Sequence, residues 1–218
     1  MGNLLGDNNL KYRNFFRKSS FKKDIHNGNL LLNLIYKYKP VNFLEVGVLE
    51  GATSRNICEV LNHLNNNKFN FIGIDLFRLD YEKNNAKEFT PISNKISNPI
   101  KWLYFKIILR SHPNSIKSVE HLLRKFKDST KFYQGYSDDL LNKIKIDHID
   151  FVFLDGGHSY ETVKCDLELL IIKLKSGSII LCDDYNIEDY GVKKAVDEIK
   201  SNHYFEDLGR FSLLRIDK

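Results

Sequence analysis

The sequence predicts an α/β domain on a mostly parallel sheet, with a helical insertion after the second strand. Three observations carry this. Apolar runs of strand length alternate with stretches of helical periodicity, as in 41–46, 51–64 and 69–74. Three of the apolar runs stop abruptly in acids or glycines, at Glu45-Val46-Gly47, Asp155-Gly156-Gly157 and Asp183-Asp184. Residues 78–131 break the alternation with Pro91, Pro99 and Pro113, where a structureless loop of that length would be unusual in a compact domain.

Along the chain, residues 1–24 are polar and basic with Phe15, Phe16 and Phe21 interspersed, an arm or short helix packing on the domain. Leu30, Leu31, Leu34 and Ile35 stand at helical spacing over 27–38, and Pro40 ends that helix, so 1–40 reads as an N-terminal helical arm. The run 41–46 is a buried strand. Over 51–64, Ala52, Ile57, Val60, Leu61 and Leu64 face inward on a helix, and 69–74 is the next strand, closed by Asp75. The insertion holds two predicted helices, 100–109 and 115–126, and is placed as a lid over the site. The sheet resumes at 131–134, followed by a short helix over 138–144. The most apolar strand is 149–154. A helix over 160–174, a strand over 178–182, a helix over 192–201 and a strand over 211–216 complete the series.

The 218 residues fit one domain, with enough chain for a proper core. No N-terminal stretch has the basic start, apolar centre and small-residue cleavage site of a signal peptide. Apolar windows such as 102–109 fall far short of the ~20 residues a bilayer span requires. Cys58, Cys165 and Cys182 are odd in number and form no CxxC, which points to reduced thiols and a cytoplasmic protein. The net charge of +5 is uneven: +6 over 1–40, +7 over 78–131 and −8 over the remainder. An acidic core between basic segments suits an anionic substrate drawn to a metal-bearing site; lysines that merely solvate helix faces are the plainer explanation.

The chemistry sits at the strand ends, where ligands collect in open α/β sheets. After the first strand the spacing is Glu45-x-Gly47-x-x-x-Gly51, which is not the GxGxxG of a dinucleotide fold. Glycine lets the backbone turn tightly and approach a ligand. Glu45 would repel a pyrophosphate but could accept from an ammonium, such as that of the methionine end of S-adenosylmethionine. Asp75, at the end of the second strand, can accept from the hydroxyls of an adenosine ribose. Tyr136 and Ser137 are placed by position alone to line an adenine pocket. The strongest signal is Asp155, Asp183 and Asp184, carried to one edge by sequential strands. Three converging carboxylates repel one another unless a cation lies among them, and their hard oxygens suit Mg²⁺, Mn²⁺ or Ca²⁺. No His or Cys cluster suggests zinc. His158, on the glycine turn after Asp155, could take a proton from a substrate hydroxyl, which makes it and Asp155 the candidate catalytic residues.

The run Phe153-Leu154-Asp155-Gly156-Gly157-His158-Ser159-Tyr160, together with Asp166, Leu174-Lys175-Ser176-Gly177 and Asp183-Asp184-Tyr185, resembles class I S-adenosylmethionine-dependent methyltransferases. Within these it is most similar to the metal-dependent O-methyltransferases of antibiotic sugars and related cephalosporin-pathway proteins. The resemblance covers 40–77 and 131–216. It implies a Rossmann-like, seven-stranded, mostly parallel sheet with helices on both faces and an antiparallel last strand. It also implies Mg²⁺ on Asp155, Asp183 and Asp184, with His158 as candidate base. Two departures stand out: Gly177-Ser178 replaces the usual double glycine, and the insertion has no counterpart, which leaves the acceptor open. A hydroxyl of a small polar molecule, a sugar or glycoside, is the expected acceptor. Alternatives are a nucleic-acid methyltransferase using the basic arm and insertion, and a non-catalytic S-adenosylmethionine-binding module. Nucleic acid and membrane are disfavoured as partners, a homo-oligomer stays open, and the glycine spacing disfavours a nicotinamide oxidoreductase.

Overall fold

The computed structural model describes residues 11–77 and 96–218. Its strands are β1 (Asn42–Val46), β2 (Asn70–Asp75), β3 (Thr130–Gln134), β4 (Phe151–Leu154), β5 (Ile179–Cys182), β6 (Tyr204–Leu208) and β7 (Phe211–Arg215). They form one sheet in the order β3-β2-β1-β4-β5-β7-β6. The first five strands in that row are parallel, and β7 runs antiparallel between β5 and β6. The helices are α1 (Ile25–Tyr38), α2 (Ala52–Leu64), α3 (Pro99–Leu103), α4 (Ile116–Leu122), α5 (Ser137–Lys143), α6 (Tyr160–Lys173) and α7 (Val192–Ile199).

The period-two alternation of the strands assigns these helices to faces. Phe43, Phe71, Phe151, Phe153 and Leu181 point to one side, against Leu31, Ile35, Ile57, Leu61 and Val119 of α1, α2 and α4. Leu44, Val46, Val152, Leu154 and Ile180 point to the other, against Leu141, Val163, Leu167, Leu170 and Val196 of α5, α6 and α7. Both faces are covered, as a parallel sheet of near-continuous apolar strands requires.

The order reverses at β1, whose partners β2 and β4 lead in opposite directions. In register, Val46 pairs with Leu154 and Leu154 with Cys182, so three strands end level. Gly47, Asp155 and Asp183 are each the next residue, in the crevice where such sheets bind ligands.

Several expectations need correction. The stretch 100–109 is not one α-helix: α3 stops at Leu103 and a π-helical turn spans Tyr104–Ile108, closed by Leu109 N–H donating to the Tyr104 carbonyl at 2.9 Å. The second insertion helix ends at Leu122, with a 3₁₀ turn over Arg124–Phe126, and α7 likewise gives way to 3₁₀ over Lys200–Asn202. Among the described residues, 11–24 form turns rather than a helix, yet Tyr12, Arg17 and Phe21 are buried. β6 was not legible in the residue pattern. No helix among the described residues is long and apolar enough to cross a membrane.

Candidate active site

Two clusters of side chains meet at the switch point. The first surrounds the β1–α2 turn. Gly47, Leu49 and Gly51 all have positive φ (96°, 53° and 77°), which presents successive N–H groups inward. The Asp75 carboxylate fills that concavity. Its Oδ2 accepts from Val48 N–H at 2.9 Å and Leu49 N–H at 2.8 Å, and its Oδ1 accepts from Phe77 N–H at 2.6 Å. Asp75 therefore holds the turn, a role that its position at a strand end did not reveal. Tyr136 and Ser137, half-buried at the start of α5, follow Gly135, whose N–H donates to the Asp75 carbonyl at 3.1 Å. Asp75, Tyr136 and Ser137 thus share the edge formed by β2 and β3.

Glu45 is not at the open edge. It is fully buried beneath α2, where Ser54 donates its hydroxyl to Oε2, while Oε1 has no hydrogen-bond partner. Burial pushes its carboxyl up to about 8 from an ordinary 4.5; the Ser54 hydrogen bond works the other way, and nearby Asp75 adds to the rise.

The second cluster is the acidic trio. Asp155, Asp183 and Asp184 offer oxygens that all lie within 4.8 Å of one another. Asp184 reaches in from a left-handed backbone, φ 57°, a conformation that aspartate tolerates better than most residues. Burial raises the Asp155 carboxyl well above the usual carboxylate range, and Asp183 and Asp184 add to it; Asp184 is raised by burial and by Asp183. A cavity of about 10 Å³, roughly the space of one water, lies against Asp155, Gly157, His158, Asp183 and Asp184. His158 Nε2 is 3.8 Å from Asp184 Oδ2, and its ring stacks on Tyr190 at 4.3 Å. The Gly191 N–H donates to the His158 carbonyl at 2.8 Å, tying the loop after Asp184 to the histidine turn.

Two residues here escaped the sequence reading. Arg210, at the tip of the β6–β7 hairpin, donates through Nε and Nη2 to both oxygens of Asp183, at 2.5 and 2.7 Å. Ser20 donates to Asp155 Oδ2 at 3.1 Å. The signal for Arg210 was limited to the Gly209 before it, a Gly-x pair of the kind that forms a two-residue hairpin turn. Nothing in the sequence marks Ser20.

The insertion packs beside the first cluster. Lys101 pairs with the buried Glu50 at 2.7 Å, and Val119 covers Gly51. Arg17 is buried between them. It donates to the carbonyls of Glu50, Pro113 and Ser118 and to the Ser118 hydroxyl. Residues 78–95 of the expected lid lie outside the described residues.

A level crevice at the reversal point, with a glycine turn after β1 and acids at the end of β2 and just after β4 and β5, is where an open α/β sheet binds its ligand. Consistently, the family model described as a methyltransferase domain matches residues 44–185. The chain belongs to that family and is an S-adenosylmethionine-dependent methyltransferase. Among solved structures it is similar to CalS11, a TDP-rhamnose 3′-O-methyltransferase of calicheamicin biosynthesis, at 16% identity over 90% of this chain and 81% of that one, TM-score 0.59. The O-methyltransferase NovP is similar at 16% identity over 88% and 79%, TM-score 0.60. TomG from Streptomyces achromogenes, an O-methyltransferase of tomaymycin synthesis solved with S-adenosylmethionine, is similar at 14% identity over 89% and 81%, TM-score 0.59. At these identities the likeness speaks for the fold. No curated protein matches the sequence significantly.

Proposed function

We propose that this chain transfers a methyl group from S-adenosylmethionine to a hydroxyl of a small polar acceptor, a sugar or nucleotide-sugar, with Mg²⁺ or a similar hard divalent cation on Asp155, Asp183 and Asp184. The observation that carries the reading is the meeting of these carboxylates beside His158, directly across from the glycine turn. The donor chemistry fits such an ion: all three groups offer hard carboxylate oxygens within 4.8 Å of one another, beside a cavity the size of one water.

When bound, the ion would lower the pKa of the acceptor hydroxyl and fix its direction. The protein's own part is positioning. Gly47 and Gly51 shape the turn against which the cofactor lies, Asp75 keeps that turn rigid, and Tyr136 and Ser137 border the adenine side. His158, steadied by Tyr190, stands where it can accept the hydroxyl proton. Methyl transfer needs oxygen, carbon and sulfur nearly collinear, and such alignment can supply several kcal/mol, of order 7–11 in well-oriented cases. The sugar class follows the acceptor named for CalS11 and the polyol-binding habit of a hard cation.

Calorimetric titration of S-adenosylmethionine into the wild type and Asp183→Ala, with and without Mg²⁺, tests the division of labour. The expected result is micromolar binding that persists in the variant while turnover is lost. Loss of cofactor binding in the variant, with catalysis per bound cofactor intact, would contradict it.

A further inference from the structure

Arg210 is tied to the trio by more than its side chain. Its backbone carbonyl accepts from Tyr185 N–H at 2.8 Å, which fixes the hairpin tip beside Asp183 and Asp184. The guanidinium takes both oxygens of Asp183, and Nη2 also lies 3.0 Å from Asp184 Oδ1. The other terminal nitrogen, Nη1, lies 3.5 Å from Asp24 Oδ2. The Phe21 ring packs against the guanidinium, 5.0 Å from its central carbon.

Buried carboxylates at this spacing need positive charge among them, and the fold supplies it from within. A divalent ion ligated by Asp183 requires an oxygen that the guanidinium already uses. Two cations cannot share that carboxylate at ligand distance without repulsion. The guanidinium has somewhere to go. Asp24 caps α1 by accepting from Asn27 N–H at 3.3 Å, and hydrogen bonds from Asn27 together with Arg210 hold its carboxyl below the usual range. With Arg210 anchored by its backbone, its guanidinium already lies between Asp183 and Asp24, so the second carboxylate is at hand when the first is taken.

We propose that Arg210 is the resident counter-cation of the acidic trio, that a divalent ion enters by displacing its guanidinium from Asp183, and that Asp24 receives it. The proposal rests on the metal assignment above. It makes Arg210 the residue that sets metal affinity. It also makes the N-terminal segment, through Asp24 and Ser20, the part of the chain that senses occupancy.

The test is Mn²⁺ binding to the full chain, read by the electron paramagnetic resonance of the free ion and by thermal melting. The variants are Arg210→Gln, Arg210→Lys, Asp24→Asn and the pair Arg210→Gln/Asp24→Asn. Arg210→Gln is expected to tighten Mn²⁺ by about ten- to a hundredfold, to melt lower without the ion and to gain more from it than the wild type. Arg210→Lys falls between, because an ammonium cannot grip both Asp183 oxygens at once, and it carries the test if the glutamine variant does not fold. Asp24→Asn keeps the α1 cap and is expected to weaken Mn²⁺ binding only while Arg210 is present. Equal or weaker Mn²⁺ binding in both Arg210 variants would overturn displacement while leaving the metal site standing. Unchanged affinity in Asp24→Asn would overturn its role as receiver. Absence of Mn²⁺ binding in every variant would overturn the metal assignment and the proposal with it.

Discussion

A methyl group built on Gly47 would lie 1.9 Å from the carbonyl oxygen of Asp155. The turn after β1 and the strand end that begins the acidic trio are therefore in backbone contact, with no room for any side chain between them. This contact sets the distance between the two halves of the site. It also explains why the chain must carry glycine here: φ is 96°, and both the angle and the space exclude a Cβ.

Gly47→Ala should accordingly lose more than about 2 kcal/mol, since left-handed strain and overpacking each cost about 1–3 kcal/mol. S-adenosylmethionine affinity should fall with it. Urea unfolding and cofactor titration check both. A variant with wild-type stability and affinity would mean that the contact does not govern the site.

The buried Glu45 makes stability depend on pH. Below its ordinary value of 4.5 both folded and unfolded chains hold the proton. Between there and about 8 the unfolded chain has lost it and the folded chain has kept it. The folded state then binds more protons, so stability falls as pH rises through this window, by up to about 1.4 kcal/mol per pH unit for one group. Glu45→Gln should flatten that decline. Urea midpoints of the two proteins across the window make the comparison, and parallel curves would place the Glu45 proton elsewhere.

Gly191 offers a way to disturb the candidate base alone. Its φ is ordinary, but a Cβ would meet the backbone nitrogen of Tyr160 at 2.1 Å. Gly191→Ala must push away the loop whose Tyr190 stacks on His158. The expected outcome is a fall in kcat with little change in S-adenosylmethionine affinity. A fall in affinity at unchanged kcat would show that the loop serves the cofactor instead.

Arg17 joins the N-terminal segment, the β1–α2 turn and the insertion through four hydrogen bonds to uncharged oxygens. Burial lowers its pKa to about 10 from 12.5, against the pull of Glu50. Arg17→Met keeps the stem but leaves these buried acceptors unpaired, at about 1–3 kcal/mol for each group that water cannot reach. Thermal melting should drop by several degrees, and limited proteolysis should cut the insertion sooner. A melt equal to the wild type would contradict the clamp.

The parallel core was legible because its strands are buried on both faces and read as unbroken apolar runs. β6 was not, because an edge strand exposes part of each face: Tyr204-Phe205-Glu206-Asp207-Leu208 carries two acids and no apolar run, and it becomes a strand only by pairing with β7. The π turn over Tyr104–Ile108 hides for a different reason, since π and α spacing present nearly the same pattern of apolar residues over one turn. In the site, Asp155, Asp183 and Asp184 announced themselves as acids ending buried strands, and the sheet register brings them together. Arg210 and Ser20 are far from them in sequence and belong to segments with no chemical motif. Glu45 shows the limit of reading a carboxylate by position: alternation along β1 sends it under α2, while its neighbours Val46 and Gly47 lead out to the crevice.

The most direct measurement of the central claim is product analysis. The protein is incubated with S-adenosylmethionine and a panel of sugars and nucleotide-sugars, in Mg²⁺ or in excess EDTA, and the products are followed by mass spectrometry. The expected products are a singly methylated acceptor and an equal amount of S-adenosylhomocysteine, both lost in EDTA and restored by Mg²⁺. Methylated acceptor formed equally well in EDTA, or cofactor turned over on nucleic acid and on none of the sugars, would contradict it.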